Sequence, residues 1–386
     1  VFRGPGRRGH MAEGAAVLDG TFGHEASGAA AQEPEPGLFE LFLLAPLPLQ
    51  PAPSASGTAP FAAVDPAAAQ EPLGVGALAA APSRLLRFAL PRRVELSEAN
   101  SDRPCTASFA LTDARGDHAY GCAMTVVHED EEGHRLDSSW TLWGAVVLSC
   151  WPLVEVYKAL LHSLFACREL YGLGAADGEP REPLVRFVRR ARQQLLGFAA
   201  ELRFVTEHPA WCGVTLQPLF AAVRWDAAKA AFLLLCLLSD QRVLLHSARR
   251  ELLYPAAAAL RSLMAPLTVA GIFVPYLPAG LLGGEETEAL INDATQPYLI
   301  GCESSLVDAL PRLDPDLVVL NLDSGSMKHP AALNRSFSRQ ALMGLGVMRE
   351  LSLQLQEGMG DGARFRPPEI RAACLGFVLA FCDPAG

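Results

Sequence analysis

Four residues with the side chains of a hydrolase triad fall close together in a leucine-rich stretch. Ser239, Asp240, His246 and Ser247 all lie in LCLLSDQRVLLHSARRELLY, residues 235–254. A serine hydrolase needs a nucleophile on a sharp turn, a base within hydrogen-bonding reach and an oxyanion hole. The chain has no GxSxG motif, and Ser239-Asp240 stands where a helix must end before a strand begins. We therefore interpret these residues as structural, and a hydrolase built around His246 is the weakest functional hypothesis.

Two further segments contain residues of chemical interest without a supporting context. The segment HEDEEGH, residues 128–134, has imidazoles and carboxylates that can ligate a divalent metal. It lies in an expected loop between strands, where runs of charge are usually solvated. No GxxxxGK[ST] motif occurs, and the glycines of residues 280–284 do not form GxGxxG. We predict no catalytic residue, no metal and no cofactor.

The composition argues against several classes of protein. A net charge of -10 and a pI near 5.4 do not suit a nucleic-acid binder, which needs clustered Lys and Arg. The nine cysteines occur singly, without a CxxC pair, and this favours reduced thiols in the cytosol. The apolar stretch 227–238 is too short to span a bilayer and contains Lys229. We expect a cytoplasmic protein without a transmembrane segment.

The first half of the chain shows strand patterns followed by helix patterns. Residues 1–37 are rich in Gly, Ala, Glu and Pro and are predicted to be a disordered tail, and the Ala/Pro-rich residues 45–83 a flexible insertion. Pro46 and Pro48 are expected to end the first strand. The predicted strands are 38–44, 85–91, 106–113, 118–127 and 140–150, and the predicted helices are 153–165 and 184–202.

From residue 226 onwards helix and strand patterns alternate, which is typical of an α/β sheet flanked by helices. The predicted strands are 242–246, 271–276, 298–301 and 317–322, and the predicted helices are 226–238, 249–264 and 304–310. Ser247 is expected to cap the second of these helices. Pro367-Pro368 opens a last amphipathic helix, 369–381.

Several short motifs in this alternating region occur in a recognisable order. The stretch from Phe232 to Asp323 resembles the central part of the DENN domain, found in regulators of Rab-type small GTPases, through LLSDQRVLLHS, FVPYLPAGLL, PYLIG and VVLNLDSG. Upstream, LFELFLL and ASFALTDARGDHAYGCAMTV resemble the longin-like module of that family. The closing PPEIRAACLGFVLAF resembles the first helix of its C-terminal helical module. The spacing around MAPL resembles the myotubularin-related members more than the others.

The resemblance implies an α/β fold class and a division into modules. We expect an α+β longin-like module at residues 38–205, a three-layer α/β central module at 206–330, and the truncated start of an all-α downstream module at 331–386.

The resemblance also implies a guanine nucleotide exchange factor that promotes GDP release from a Rab-type small GTPase in vesicle and membrane trafficking, without covalent chemistry. The expected GTPase-binding residues are Tyr276 and the loop Asp323, Ser324 and Gly325, since exposed loops at strand ends are the expected working surfaces. Asp and Gly are also what tight turns require, so a purely turn-shaping role for Asp323 and Gly325 stays open.

Alternatives of other kinds stay open as well. A DENN-fold protein can be an interaction scaffold without exchange activity, or a GTPase-activating component, which would need an arginine beside the phosphates. Arg115 and Arg135 lie in suitable loops of the longin-like module. The arginines of 186–192 give one helix a basic face that suits weak peripheral contact with vesicle or endosomal membranes, although a solvated face is more common.

Overall fold

The computed structural model describes a mixed α/β fold with two five-stranded sheets and one two-stranded sheet. The described residues are 39–49, 61–63, 73–75, 85–91, 93–96, 103–112, 118–130, 139–149, 151–167, 182–202, 213–269, 271–330, 333, 346, 348–360 and 364–382.

The N-terminal sheet is an antiparallel sheet of five strands. Its strands are β1 (Glu40–Leu49), β3 (Leu73–Val75), β5 (Cys105–Thr112), β6 (His118–Asp130) and β7 (Ser139–Ser149). They lie in the order β3-β1-β7-β6-β5. The predicted strands 106–113 and 118–127 correspond to β5 and β6, which form an antiparallel hairpin with Thr112 opposite His118. Two short strands, β2 (Phe61–Ala63) and β4 (Arg93–Glu95), form the separate pair.

Two predictions for this region are wrong. The first strand does not end at Pro46 but continues to Leu49, because a shift in register against β7 between Leu44 and Leu47 accommodates the proline, which has no N–H to donate. Residues 85–91 contain a short helix, α1 (Leu85–Ala89), rather than a strand. A short apolar run buried on most sides has no periodicity that separates the two structures.

Two predicted helices are confirmed, and both pack on the N-terminal sheet. They are α2 (Val154–Ala166) and α3 (Glu182–Leu202). Leu161 of α2 and Leu184 and Val188 of α3 are buried in one cluster with Phe39 and Leu41 beside β1. Arg186, Arg189 and Arg190 of α3 therefore lie on the opposite side of that helix, facing solvent.

The central sheet contains the four strands predicted for it. They are β8 (Arg242–Ser247), β9 (Ile272–Leu277), β10 (Tyr298–Glu303) and β11 (Val318–Asn321), to which β12 (Met327–Lys328) is added. The order is β12-β11-β8-β10-β9, with β8 to β11 parallel and β12 antiparallel at one edge. A parallel sheet covered on both faces explains the apolar run Val243-Leu244-Leu245 in the middle of β8.

Helices surround this sheet, and the predicted alternation is confirmed. They are α4 (Gln217–Ala222), α5 (Ala227–Leu238), a 3₁₀ turn (Arg250–Leu252) leading into α6 (Leu253–Ser262), α7 (Gly284–Glu288), a π-helical turn (Ala289–Asp293) and α8 (Ser304–Ala309). Two more helices follow, α9 (residues 348–359) and α10 (Pro367–Cys382). No helix among the described residues has the length and apolarity needed to cross a bilayer.

The two five-stranded sheets pack against each other along the edges formed by β5 and β9. Phe88 of α1 contacts both Phe109 of β5 and Tyr276 of β9, with ring centroids 5.0 and 6.2 Å apart. The Arg87 guanidinium donates to the carbonyl oxygens of Gly280 and Leu281 at 2.8 and 3.0 Å. The cores of the two sheets are thus continuous.

Some predictions concern residues outside the described ranges. These are the tail 1–37, most of the insertion 45–83, His134 of the acidic segment, and the loop arginines Arg115 and Arg135. The side chain of Arg192 also lies outside the described set. The module boundaries at 205 and 330 stay predictions.

Candidate functional site

Parallel pairing brings the carboxyl ends of neighbouring strands together at one edge of the central sheet. In the observed register Glu303 of β10 lies opposite Ser247 of β8, and Asn321 of β11 lies opposite His246. Ligand sites of open α/β sheets lie outside this edge. We call His246, Ser247, Glu303, Asn321 and Asp323 the carboxyl-edge cluster.

The carboxylate of Asp323 is the centre of this cluster. It accepts from the Ser247 hydroxyl and from the Ala248 backbone N–H, both at 2.7 Å, and lies 3.5 Å from Arg249 Nε. Partial burial alone would raise the pKa of Asp323, but these donors outweigh burial and lower it. Asp323 is therefore an ionised group fixed across the gap between β8 and β11.

The residues that follow β11 form a tight turn, which we call the 323–325 loop. The Asn321 side-chain oxygen accepts from the backbone N–H groups of Asp323 and Ser324 at 2.9 Å, and its carbonyl accepts from Gly325 at 2.8 Å. Gly325 has φ +68°, and a Cβ there would lie 2.6 Å from Arg224 Cγ. The turn-shaping role considered for Asp323 and Gly325 thus has direct structural support.

Two cations hold the backbone of the 323–325 loop from the other side. The Arg224 guanidinium donates to the first two carbonyl oxygens of the loop, the second at 3.4 Å, and Lys229 Nζ donates to the third at 2.9 Å. Arg224 and Trp225 both adopt left-handed backbone conformations, with φ of 60° and 56°. Such strain persists where the surroundings enforce it, and here it aims Arg224 at the loop.

Tyr276 does not lie in an exposed loop, contrary to the expectation from the sequence. It is inside β9 and completely buried, with its hydroxyl donating to Glu303 Oε1 at 2.8 Å. Burial raises the pKa of Tyr276 well above its ordinary value, so it stays a neutral donor. In this conformation it acts on the edge through Glu303, and a role in binding a partner stays a prediction.

The residues of a hydrolase triad do not come together. Ser239 ends α5 and Asp240 is a turn residue with φ 53°, and both precede β8, whereas His246 lies at its far end. His246 Nδ1 instead lies 3.0 Å from Ser304 Oγ. Partial burial lowers the pKa of His246, so the imidazole is neutral near pH 7. The predicted positions of Ser239 and Asp240 at the helix end and of His246 in the following strand are confirmed.

Ser247 is not the helix cap that the sequence suggested. Its hydroxyl accepts from the Arg249 backbone N–H at 2.9 Å while donating to Asp323. The following 3₁₀ turn begins after Arg249, whose side chain does not cap it. Ser247 therefore links β8 to the 323–325 loop, a role that a local helix-start pattern cannot reveal.

The carboxyl-edge cluster and the adjacent Arg249 together present both signs of charge to solvent. The side chain of Arg249 is 59% exposed and that of Asp323 is 31% exposed. Sequence reasoning missed Arg224, Lys229 and Arg249, because their contacts join segments 74 to 100 residues apart. Among the described residues no group of three or more His, Cys, Asp and Glu side chains is placed to hold a metal ion. The arrangement suits hydrogen bonding to a polar partner surface.

Part of this chain is similar in sequence to known proteins. Residues 144–325 match the DENN (AEX-3) domain. The DENN domain-containing protein C297.05 of Schizosaccharomyces pombe is 31% identical over 123 residues, which are 32% of this chain and 12% of that protein. Elicitor of plant defense protein 1 is 32% identical over 111 residues in Gibberella zeae and 30% identical over 142 residues in Fusarium odoratissimum.

These matches cover 28% and 36% of this chain but only 9% and 14% of the two elicitor proteins. The chain thus spans a small part of the curated relatives it matches. None of the three relatives is named as myotubularin-related, so that subfamily stays a prediction. Residues 144–325 contain β8 to β11 and the whole carboxyl-edge cluster. The chain therefore contains a region, residues 144–325, that matches the DENN domain.

Proposed function

We propose that this protein is a guanine nucleotide exchange factor for a Rab-type small GTPase. The observation that carries the proposal is the position of the carboxyl-edge cluster within the DENN domain match. The resemblance to this family implies regulation of a Rab-type small GTPase. The site binds its partner without making or breaking a covalent bond. The nucleotide and its Mg²⁺ belong to the GTPase.

Exchange follows from a difference in affinity. A factor that binds the nucleotide-free GTPase more tightly than the nucleotide-bound form must weaken nucleotide binding by the same free energy. A thousandfold weakening requires about 4 kcal/mol of differential binding. The differential contacts are made with the switch loops of the GTPase, which order and disorder with the nucleotide.

The carboxyl-edge cluster offers a preorganised surface for such contacts. In our proposal Asp323 and Ser324 face the GTPase, Gly325 fixes the turn, and Tyr276 acts through Glu303. Arg249 adds an exposed positive charge beside Asp323. Because the loop is held by Arg224 and Lys229 before the partner arrives, little conformational entropy is lost on binding.

The location of the protein and the process in which it acts are part of the same proposal. We place the protein in the cytoplasm, with vesicle trafficking as the process and the N-terminal sheet as a longin-like module. The exposed Arg186, Arg189 and Arg190 of α3 provide for weak peripheral contact with an acidic membrane.

Release of a fluorescent GDP analogue from a panel of Rab GTPases tests the proposal. We expect this protein to accelerate release from at least one GTPase. Binding to a GTPase without acceleration across the panel would support a scaffold instead. Accelerated phosphate release from the GTP-bound form, without faster GDP release, would support a GTPase-activating component.

A further inference from the structure

A buried arginine joins the two five-stranded sheets. Arg250, in the 3₁₀ turn after β8, is 5% exposed. Its Nη1 donates to the carbonyl oxygen of Ala89 at 3.0 Å and its Nη2 donates to the hydroxyl of Thr125 at 2.9 Å, so both acceptors belong to the N-terminal sheet and its helix α1. The charge is thus buried in the seam between the sheets.

This guanidinium lacks the anionic partner that a buried charge requires. Its Nε is buried without a hydrogen-bond partner, and in the described part of the chain no carboxylate lies within 4.0 Å of it. Glu303 is near, but its Oε1 accepts from Tyr276. A buried charge without a counter-ion costs several kcal/mol, so an anion that reaches this seam is favoured.

Cys105 is a thiol placed next to this guanidinium. It lies opposite Thr125 in the pairing of β5 with β6, and residues paired in this way project from the same face of the sheet. Its side chain therefore lies on the face from which Thr125 reaches Arg250. Burial alone would lower the pKa of Arg250, and Cys105, Tyr276 and Glu303 are the groups that raise it instead. Unlike Cys122 in the neighbouring strand β6, Cys105 is exposed to solvent.

We propose that Cys105 is an oxidation site, at which the buried charge of Arg250 favours attack of the sulfur on peroxide. The thiolate sulfur attacks one oxygen of hydrogen peroxide, the O–O bond breaks, and the product is a sulfenic acid with hydroxide as the leaving group. Sulfur loses two electrons and the peroxide gains them. Reactive cysteines occur where a thiol is both accessible and next to a positive charge. The proposal does not depend on the exchange activity.

The chain contains its own controls for the test. Cys167 and Cys382 are also exposed, whereas Cys122, Cys236, Cys302 and Cys374 are buried. The full chain is treated with limiting hydrogen peroxide and dimedone, which captures sulfenic acids, and labelled peptides are quantified by mass spectrometry. We expect Cys105 to be labelled about fivefold or more faster than Cys167 and Cys382, because the thiolate is the nucleophile. A rate for Cys105 no higher than theirs would overturn the proposal.

Variants of Arg250 test whether its charge is the cause of the faster reaction of Cys105. Arg250→Met removes the charge and keeps an apolar side chain, so Cys105 should react at the rate of Cys167. Arg250→Lys keeps a positive charge and should retain most of the difference. Labelling of the buried cysteines would reveal a variant that fails to fold, and the wild-type comparison then decides alone. Unchanged selectivity for Cys105 in folded Arg250→Met would contradict the role of the charge.

Discussion

The two ends of the central sheet each contain an arginine paired with an aspartate, but the two pairs differ in exposure. At the amino edge Arg242 and Asp314 lie 2.6 Å apart, with side chains 19% and 24% exposed. At the carboxyl edge Arg249 and Asp323 lie 3.5 Å apart, with side chains 59% and 31% exposed. The first pair is enclosed by its own protein, whereas the second leaves hydrogen-bonding capacity for a partner.

Their surroundings explain this difference. Arg242 also donates to the carbonyl oxygen of Asn292, and the Asn292 side chain accepts from the Asp314 backbone N–H at 2.9 Å. The helical insertion after β9 thus closes the amino edge. At the carboxyl edge Arg224 and Lys229 donate hydrogen bonds to the backbone of the 323–325 loop on one side, and the other side of the loop is exposed to solvent. One edge therefore serves stability and the other is suited to recognition.

Removing Arg242 should have the largest effect on stability. Arg242→Met leaves Asp314 and the Asn292 carbonyl without their donor, and breaking a mostly buried pair costs about 3 kcal/mol. Urea unfolding followed by circular dichroism measures this loss. The proposed exchange activity, measured per folded molecule, should not change. If Arg242→Met lost as much activity as a carboxyl-edge variant, the two edges would not differ in function as described.

Gly325→Ala should have the second largest effect on stability. The new Cβ would lie 2.6 Å from Arg224 Cγ and 2.8 Å from the Ala222 carbonyl oxygen, at a φ of +68°. We expect a loss of about 1–3 kcal/mol in the free energy of unfolding, because left-handed backbone strains a non-glycine residue. Gly284→Ala, where a Cβ would meet nothing within 4 Å, is the matched control. Equal stability of the two variants would show that the loop is not constrained as described.

Both aspartates should make the protein sensitive to acid. The pKa of Asp314 is lowered by the Asp316 backbone N–H and by Arg242, and that of Asp323 is lowered because its donors outweigh its burial. A folded-state pKa below the unfolded value stabilises the protein above the unfolded value, about 3.9, and this stabilisation is lost as pH falls through the folded-state pKa. Asp314→Asn and Asp323→Asn should each flatten the fall in stability below about pH 4. If the free energy of unfolding of both variants depended on pH as it does in the wild type, these pKa shifts would be contradicted.

Arg249→Ala should have the smallest effect on stability. Its contact with Asp323 is long and exposed, so we expect less than about 0.5 kcal/mol in unfolding free energy. The expected effect lies in GTPase binding, which should weaken clearly. A variant that binds normally would remove Arg249 from the proposed surface.

The sequence predicted the elements of the central sheet because parallel strands and their helices have strong periodicity. The motif order also predicted the DENN domain that residues 144–325 match. Local pattern could not separate strand from helix at residues 85–91, and it could not show that Tyr276 is buried. Nor could it pair Arg224 with a loop about 100 residues away, since that contact depends on tertiary packing and a left-handed backbone.

The most direct test of the account is the affinity for a nucleotide-free Rab-type GTPase, measured for the wild-type protein and two charge reversals. Arg249→Glu alters the carboxyl edge, and Arg189→Glu alters an equally charged, exposed position on α3. We predict tight binding by the wild type and Arg189→Glu, and binding at least about tenfold weaker by Arg249→Glu, because like charges at an interface are strongly unfavourable. Equal affinities of the two variants, or no preference of the wild type for the nucleotide-free form, would contradict the account.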